Sequence, residues 1–521
     1  MKSPLGDETV AVVAATFCAL LAFLQGIDAT TIAGFTAMPG FLMDFGYYDK
    51  ALGMYNIDAN TQLMITCMVS VGAAIGSVIA GPLGVRYGQK KGCISVAIVS
   101  MIGSSVQAGT RHLGGLIPGR ILVGIGIGMA TNFVLVYQSE VSPRRWRGML
   151  LGSYLVIYAV GGFVGTCINQ ATHTMLNPWS YRIPLLTQLA CPALFLCGAY
   201  FVPDSPRYLV SRGRIAEAYQ SYERLHGHSA EAEILREQEM REIIAFVEFE
   251  KQHQRSTTYV DCFRGTDRRR TLIAMGLMTC QNFGGRDFLF SYGTYFFLVA
   301  GVSDPFLISV ILNMSTIVAT VIAIPLVKYV PRRKILLPSI AAFVTCLLIF
   351  SSVGTAIPGS LIASKILITF MILYNFFFTI ALVSLASIMI SETASTRLRS
   401  PAQSIAVFTA WGEAVFWTAI LPYLINPTKA NLGAKIGFMY GGFGICIFLF
   451  VFFCVPEYLG RSLEELDELF IKRVPTRKFS SFVCTGTVDG QTVDEKSAQV
   501  LDGKAGLNSE HIEVPEPRVD A

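Results

Sequence analysis

Ionisable residues stand at several places where apolar sequence should exclude them. Asp28 lies well inside an apolar run at residues 10–34, and Arg120 lies near the start of another at 116–138. Arg286 and Asp287 interrupt a run at 272–299, directly after Gly284-Gly285. A charge at bilayer depth costs a few kcal/mol on insertion scales, so it normally finds a partner or a wet cavity. Because the two runs cross in opposite directions, Asp28 and Arg120 come to similar depth. A carboxylate there can load and release a proton, with an arginine supplying compensating charge in between. The alternative is a static ion pair that only fixes helix packing. Arg286 and Asp287 are adjacent, so on a helix they point about 100° apart and cannot both face one cavity squarely. The glycines before them permit a break or close packing. Asp287 is placed to accept hydroxyls, and Arg286 to meet an anionic group or Asp287. The alternative is a structural pair with Glu413 or another acid.

The elements that must hold these residues follow from composition. Of 521 residues, 52% are hydrophobic and 15% charged, and mean hydropathy is +0.52. Soluble domains carry about 25% charged residues. The difference excludes a disordered protein, a collagen-like fibre and most soluble enzymes. No nucleophile, base or metal cluster appears at motif spacing, so no enzyme activity, metal or cofactor is expected. The 12 cysteines form no Cys-x-x-Cys pair, and His226 and His228 read as a solvated loop. Gly124, Gly126 and Gly128 sit inside an apolar run without a preceding soluble strand. They read as close helix packing, not as a dinucleotide fingerprint.

About twelve runs are long enough to cross a bilayer as helices: 10–34, 64–84, 93–110, 116–138, 149–168, 184–202, 272–299, 306–327, 335–356, 361–390, 403–425 and 436–455. The first lacks a basic leader and does not resemble a cleaved signal peptide. Alternate connections carry the positive charge, at Arg86, Lys90, Lys91, Arg144, Arg145, Arg147, Arg207, Arg212, Arg268 to Arg270, Arg332 to Lys334, Arg397 and Arg399. The positive-inside rule places these and both termini in the cytoplasm. The expected domains are a six-helix half at 1–202, a cytoplasmic helical linker at 203–271, a second six-helix half at 272–471 and a disordered tail at 472–521. The linker segments Ile215 to Arg224 and Ala230 to Glu250 read as short amphipathic helices, and the tail is rich in Gly, Ser, Asp and Lys.

An internal repeat divides the chain. Ser139-Glu140 with Arg147 recurs as Ser391-Glu392 with Arg399, and Pro203-Asp204 recurs as Pro456-Glu457 at nearly the same offset. Arg86-Tyr87 before Lys90-Lys91 recurs loosely as Lys328-Tyr329 before Arg332-Arg333. Three landmarks in order predict two parallel halves, the plan of secondary transporters with a midplane site between the halves. Glu140, Arg147, Glu392 and Arg399, with Arg86, then read as salt bridges that close the inner gate. The alternative is a solvated rim of charge, in which each exposed pair contributes about 0–1 kcal/mol.

Residues 10–470 resemble the sugar porter family of the major facilitator superfamily. The resemblance rests on Gly26-Ile27-Asp28, Gly119-Arg120-Ile121, Ser139-Glu140 to Arg147-Gly148, Pro203-Asp204-Ser205-Pro206-Arg207, and Pro456-Glu457 with Gly460-Arg461-Ser462. It implies an all-α membrane fold of twelve transmembrane helices and a site drawn from Gln281, Asn282, Arg286, Asp287, Asn313 and Trp411. Departures mark the same regions. Val85 and Gln89 replace an Asp and an Arg of the first cytoplasmic signature. Leu155 and Ser387 stand where the family carries a Gln and an aromatic residue, and Ala410 and Ala414 replace Asn residues around Trp411. The resemblance implies a proton-coupled importer of a sugar, polyol or sugar-derived acid at the plasma membrane. It would be monomeric, with the proton, the small-molecule substrate and the lipid bilayer as its partners and no nucleic acid. Its rivals are a non-transporting nutrient sensor and an exporter of a secondary metabolite on the same scaffold.

Overall fold

The computed structural model describes residues 8–49, 54–143, 147–226, 259–299, 304–357, 360–393, 399–426, 429–459 and 463–479, with scattered positions within 237–247 and 482–492. Among the described residues, ten helices are each long and apolar enough to cross a membrane. Spans one to five are Thr9–Phe35, Ala59–Tyr87, Gln89–Gly109, Leu113–Val141 and Arg147–Thr172. Spans eight, nine, eleven and twelve are Pro305–Tyr329, Arg332–Ala356, Arg399–Ile425 and Ile436–Cys454. The tenth runs from Leu361–Phe378 through a π-helical stretch, Thr379–Leu385, into Ala386–Thr393.

The sixth and seventh crossings differ from the single runs the sequence predicts, because each is two helices. The sixth is Trp179–Thr187 followed by Ala190–Gly198. Pro192 has no N–H, and its ring crowds the carbonyl four residues back, so the helix breaks near Gln188. The seventh is Asp267–Phe283 followed by Arg286–Val299. Gly285 between them has φ +101°, a conformation that L side chains rarely adopt. The carbonyl of Gly284, freed by this break, accepts from the Tyr374 hydroxyl at 2.6 Å.

Small residues set the helix spacing. A Cβ on Gly72 or Gly76 would come within 2.3 Å of a backbone oxygen of the fourth span. One on Gly124 or Gly128 would strike the backbone of the second span equally hard. The two helices therefore interlock backbone to backbone, the close packing that the glycine spacing predicts.

On the face carrying Lys90 and Lys91, the Pro206–Ser211 helix docks against the turn after the second span. Arg212 donates to the carbonyls of Val85 (2.8 Å) and Arg86 (2.5 Å), and the Tyr208 hydroxyl donates to Arg86 at 3.3 Å. The linker continues as Ile215–His226, and most of 227–258 lies outside the described residues. Packed chain runs on past Lys472, where composition predicts disorder. Arg269 donates to the Val474 carbonyl (3.2 Å) and to Thr476 Oγ1 (2.9 Å), and Phe479 is fully buried. Averaged composition hides Phe470 and Phe479, whose rings lie 5.5 and 5.9 Å from the Arg269 guanidinium. The remainder of the expected tail, apart from a few positions up to 492, lies outside the described residues.

On the opposite face, uncharged groups join the two halves. The hydroxyls of Thr66 and Tyr292 are hydrogen-bonded. Tyr295 donates to Asn56 Oδ1 at 3.1 Å, Tyr423 to Asn60 Oδ1 at 2.5 Å, and Asn426 Nδ2 to the Ile57 carbonyl at 3.1 Å. This face is closed in the conformation seen.

Candidate functional site

Asp28 and Arg120 meet in the N-terminal half. Arg120 Nη1 lies 2.9 Å from Asp28 Oδ1, and the side chains are 0% and 1% exposed respectively. Three further spans complete the cluster. Gln188 Nε2 donates to the same Asp28 oxygen at 3.2 Å, Arg120 donates to Gln107 Oε1 (3.1 Å) and to the Ile65 carbonyl (3.3 Å), and Ser104 donates to Gln188 Oε1 at 3.2 Å. Gln188 sits at the break in the sixth span and is buried. The Phe35 ring covers Arg120, with its centroid 5.9 Å from the guanidinium carbon. Two ions removed from water are tolerable only when their remaining hydrogen-bonding capacity is met, and Gln107, Gln188 and the Ile65 carbonyl do much of that here. Neither glutamine was legible beforehand, because an uncharged polar residue inside an apolar run carries no periodic signal.

The second cluster sits at the break in the seventh span. Asn282 donates to the Ala410 carbonyl (2.9 Å) and to Glu413 Oε2 (3.2 Å), while Thr279 donates to Glu413 Oε1 (2.6 Å). Gln281 Nε2 donates to Ser387 Oγ at 3.3 Å. Asp287 is half-buried and within electrostatic reach of Glu413 and Arg286. Arg286 turns the other way, toward Tyr158 and Tyr154 of the fifth span. Tyr154 in turn donates to Gln25 Oε1 at 2.7 Å. Arg286 thus reaches across the centre from one half to the other, and Glu413, one of the acids offered as its structural partner, is held by Asn282 and Thr279.

Asn313 belongs to neither cluster. It lines a cavity of about 20 Å³ between the halves, with Thr30, Thr166, Thr294, Thr316 and Asn375. That space holds roughly one water molecule. Trp411 is half-buried against the apolar core of the C-terminal half. Of the charged residues at the Lys90 face, Arg86 is exposed, with its guanidinium 5.4 Å from the Tyr87 ring, and Glu140 is half-buried at the end of the fourth span. Arg147 and Arg399 begin their helices and Glu392 lies in the last turn of its own, but these three side chains lie outside the described residues.

Although Arg286 faces the fifth span, it and Asp287 remain within electrostatic reach of each other, which predicts coupling between them. Removing either charge alone leaves the other uncompensated at bilayer depth. Arg286→Gln and Asp287→Asn should each lower the melting temperature of the purified protein. The double variant should recover a coupling energy of about 0.5–3 kcal/mol relative to additivity. Strict additivity in thermal unfolding would show that the two charges do not interact.

Comparison with known proteins is consistent over most of the chain. Residues 14–470 match the family described as "Sugar (and other) transporter". The major facilitator-type transporter ecdD of Aspergillus rugulosus is 31% identical over 90% of this chain and 88% of its own length. The low-affinity glucose transporter HXT3 of Saccharomyces cerevisiae is 30% identical over 90% of this chain and 84% of its own. Among solved structures, the proton:xylose symporter XylE of E. coli, bound to 6-bromo-6-deoxy-D-glucose, superposes with a TM-score of 0.72 at 21% identity. That match covers 89% of this chain and all of the other. The chain therefore belongs to the sugar transporter family of the major facilitator superfamily: it is a multi-pass membrane transporter, not an enzyme.

Proposed function

We propose that the protein is a proton-coupled importer of a sugar, polyol or sugar-derived acid, working by alternating access as a monomer in the plasma membrane. In this reading the face carrying Lys90 and Lys91 is cytoplasmic, as are both termini. Asp28 carries the proton and Arg120 its counter-charge. Gln281, Asn282, Asp287 and Asn313 contact substrate, with Arg286 and Trp411 beside them.

The observation that carries the proposal is the buried Asp28–Arg120 pair held by Gln107 and Gln188. A carboxylate protonated in place loses its attraction for Arg120, while the two glutamines can re-pair with the neutral acid. The charged and neutral forms then favour different packings of spans one, three, four and six, which is the differential interaction that a conformational shift requires. Among the described residues, Asp28 bonds to Arg120 and Gln188 and not to the second cluster, so proton and substrate act on the same transition from separate places.

Uptake of labelled D-glucose, D-xylose, myo-inositol and D-glucuronate into liposomes containing the purified protein tests the proposal. At least one should accumulate above equilibrium when the outside is acidic, and only equilibrate when the gradient is collapsed. Binding without carriage would instead fit a sensor.

The charged residues at the cytoplasmic face act as the inner latch in this account. Glu392→Gln should weaken the closed inner gate and raise the reactivity of cysteines introduced into the inner cavity. Unchanged labelling together with an unchanged transport rate would remove the latch from the mechanism.

A further inference from the structure

Spans five, eight and ten leave an open apolar groove on the outside of the molecule. Its volume is about 490 Å³, and it is lined by Phe163 of span five, Val310, Ile311, Met314 and Val318 of span eight, and Phe376 of span ten. Ser315 also lines it, but its hydroxyl is already used. It donates to the Leu312 carbonyl at 2.8 Å and accepts from Asn375 Nδ2 at 2.7 Å. The lining side chains therefore offer nothing to a sugar, a lipid head group or a sterol hydroxyl. They lie inside helices that cross the membrane, where the surrounding medium is acyl chain. Ile311, Met314 and Val318 are 42%, 49% and 42% exposed to it.

The hydrophobic effect does not fill such a groove, because a chain entering it leaves one hydrocarbon setting for another. Packing does. An empty concavity forfeits dispersion contacts along its lining, and a chain lying in it is touched on several sides, where a chain against a convex helix is touched on one.

The groove also crosses the seam of the molecule. Phe163 belongs to the N-terminal half and the other lining residues to the C-terminal half, so the groove keeps this shape only while spans five and eight stand together. The opposite face of the same stretch of span eight carries Leu312, Asn313 and Thr316 on the small cavity between the halves. Asn375 ties that stretch to span ten through the Leu312 carbonyl (2.8 Å) and Thr316 Oγ1 (2.9 Å). One helix thus separates the groove from the cavity. We propose that the groove is a binding site for an acyl chain of a bilayer lipid, and that the seated chain favours the conformation seen, closed at the face where Thr66 meets Tyr292. A ligand that touches both halves in one conformation, and only one of them in another, shifts the population toward the first.

The test uses the full-length protein in phosphatidylcholine nanodiscs doped with phosphatidylcholine that carries a diazirine on its acyl chain. Photolabelled residues are mapped by mass spectrometry. A handful of extra carbon contacts is enough for about a threefold preference. Labelling of Phe163, Phe376 and the stretch from Val310 to Val318 should therefore exceed that of exposed Val78, Ile98 and Ile102 on the other half by about threefold or more. Met314→Trp and Val318→Trp fill the groove and should each bring the excess down to parity. Parity in the unmodified protein would overturn the site, even if both variants fail to fold, as would an excess that survives in both folded variants. A diazirine sterol labelling the groove in excess while the acyl probe does not would overturn the choice of occupant. The conformational preference is read in Thr294→Cys, at a position 3% exposed in the closed form. Within one sample, molecules cross-linked at the groove should react with a maleimide at that cysteine more slowly than molecules without a cross-link. Equal rates would overturn the preference.

Discussion

Asp28→Asn should abolish accumulation of substrate against its gradient and leave substrate binding nearly unchanged. The asparagine keeps the size of the side chain and the oxygen that Gln188 and Arg120 reach, at 3.2 and 2.9 Å in the native protein. It removes the charge and with it the capacity to carry a proton. The variant is then held in the form that the protonated protein occupies during only part of its cycle. Downhill exchange needs no change of protonation and should persist. The unmodified protein should take up substrate faster as the outside is made moderately acidic, and that dependence should vanish in the variant. Separation from the second cluster is the reason for expecting a split and not a general loss. An Asn variant that still concentrates substrate would reduce the Asp28–Arg120 pair to a packing device.

Arg120→Leu carries the largest expected cost to the fold. Breaking a buried pair by removing one partner typically costs about 3–5 kcal/mol, because the remaining charge is left uncompensated. Here Gln107 Oε1 and the Ile65 carbonyl lose a donor as well. The variant should melt well below the unmodified protein or fail to accumulate. Adding Asp28→Asn removes the stranded carboxylate and should restore much of the loss, although it cannot restore transport against a gradient. Thermal unfolding of the two single variants and the double decides this. If Arg120→Leu melted like the unmodified protein, Asp28 would already be neutral in the resting structure, and the arginine would not be its counter-ion.

Much of this architecture was legible in the sequence. Runs of about 20 apolar residues have few alternatives to membrane helices, and landmarks such as Glu140–Arg147 and Glu392–Arg399 recur at one offset. Asp28 and Arg120 could be paired in advance because two charges in antiparallel apolar helices have few other places to go. Local backbone chemistry was harder to read. Pro192 and Gly284-Gly285 stand in plain view, yet prolines such as Pro82 and Pro118 lie inside continuous helices, so the residue type alone does not predict a break. The uncharged partners were hidden for a different reason. Ser104, Gln107 and Gln188 on the first cluster, and Thr279 on the second, look like any polar residue in an apolar run. Only the three-dimensional packing shows which of them face a charge. Glu413 was visible as an acid and stood as one of several possible partners for the charges at the break. Arg286 is close in sequence to the break, but the turn at Gly285 sends its side chain toward the fifth span, and Asn282 takes Glu413 instead.

Proton movement driven by cargo alone is the most direct test of whether cargo and proton move together. Liposomes containing the purified protein and a luminal pH dye are held at equal pH on both sides, with the membrane potential clamped. A substrate identified by the uptake panel is then added outside. The lumen should acidify as substrate enters down its gradient, and Asp28→Asn liposomes should take up substrate with no acidification. Substrate entry into liposomes of the unmodified protein with luminal pH unchanged would contradict that coupling.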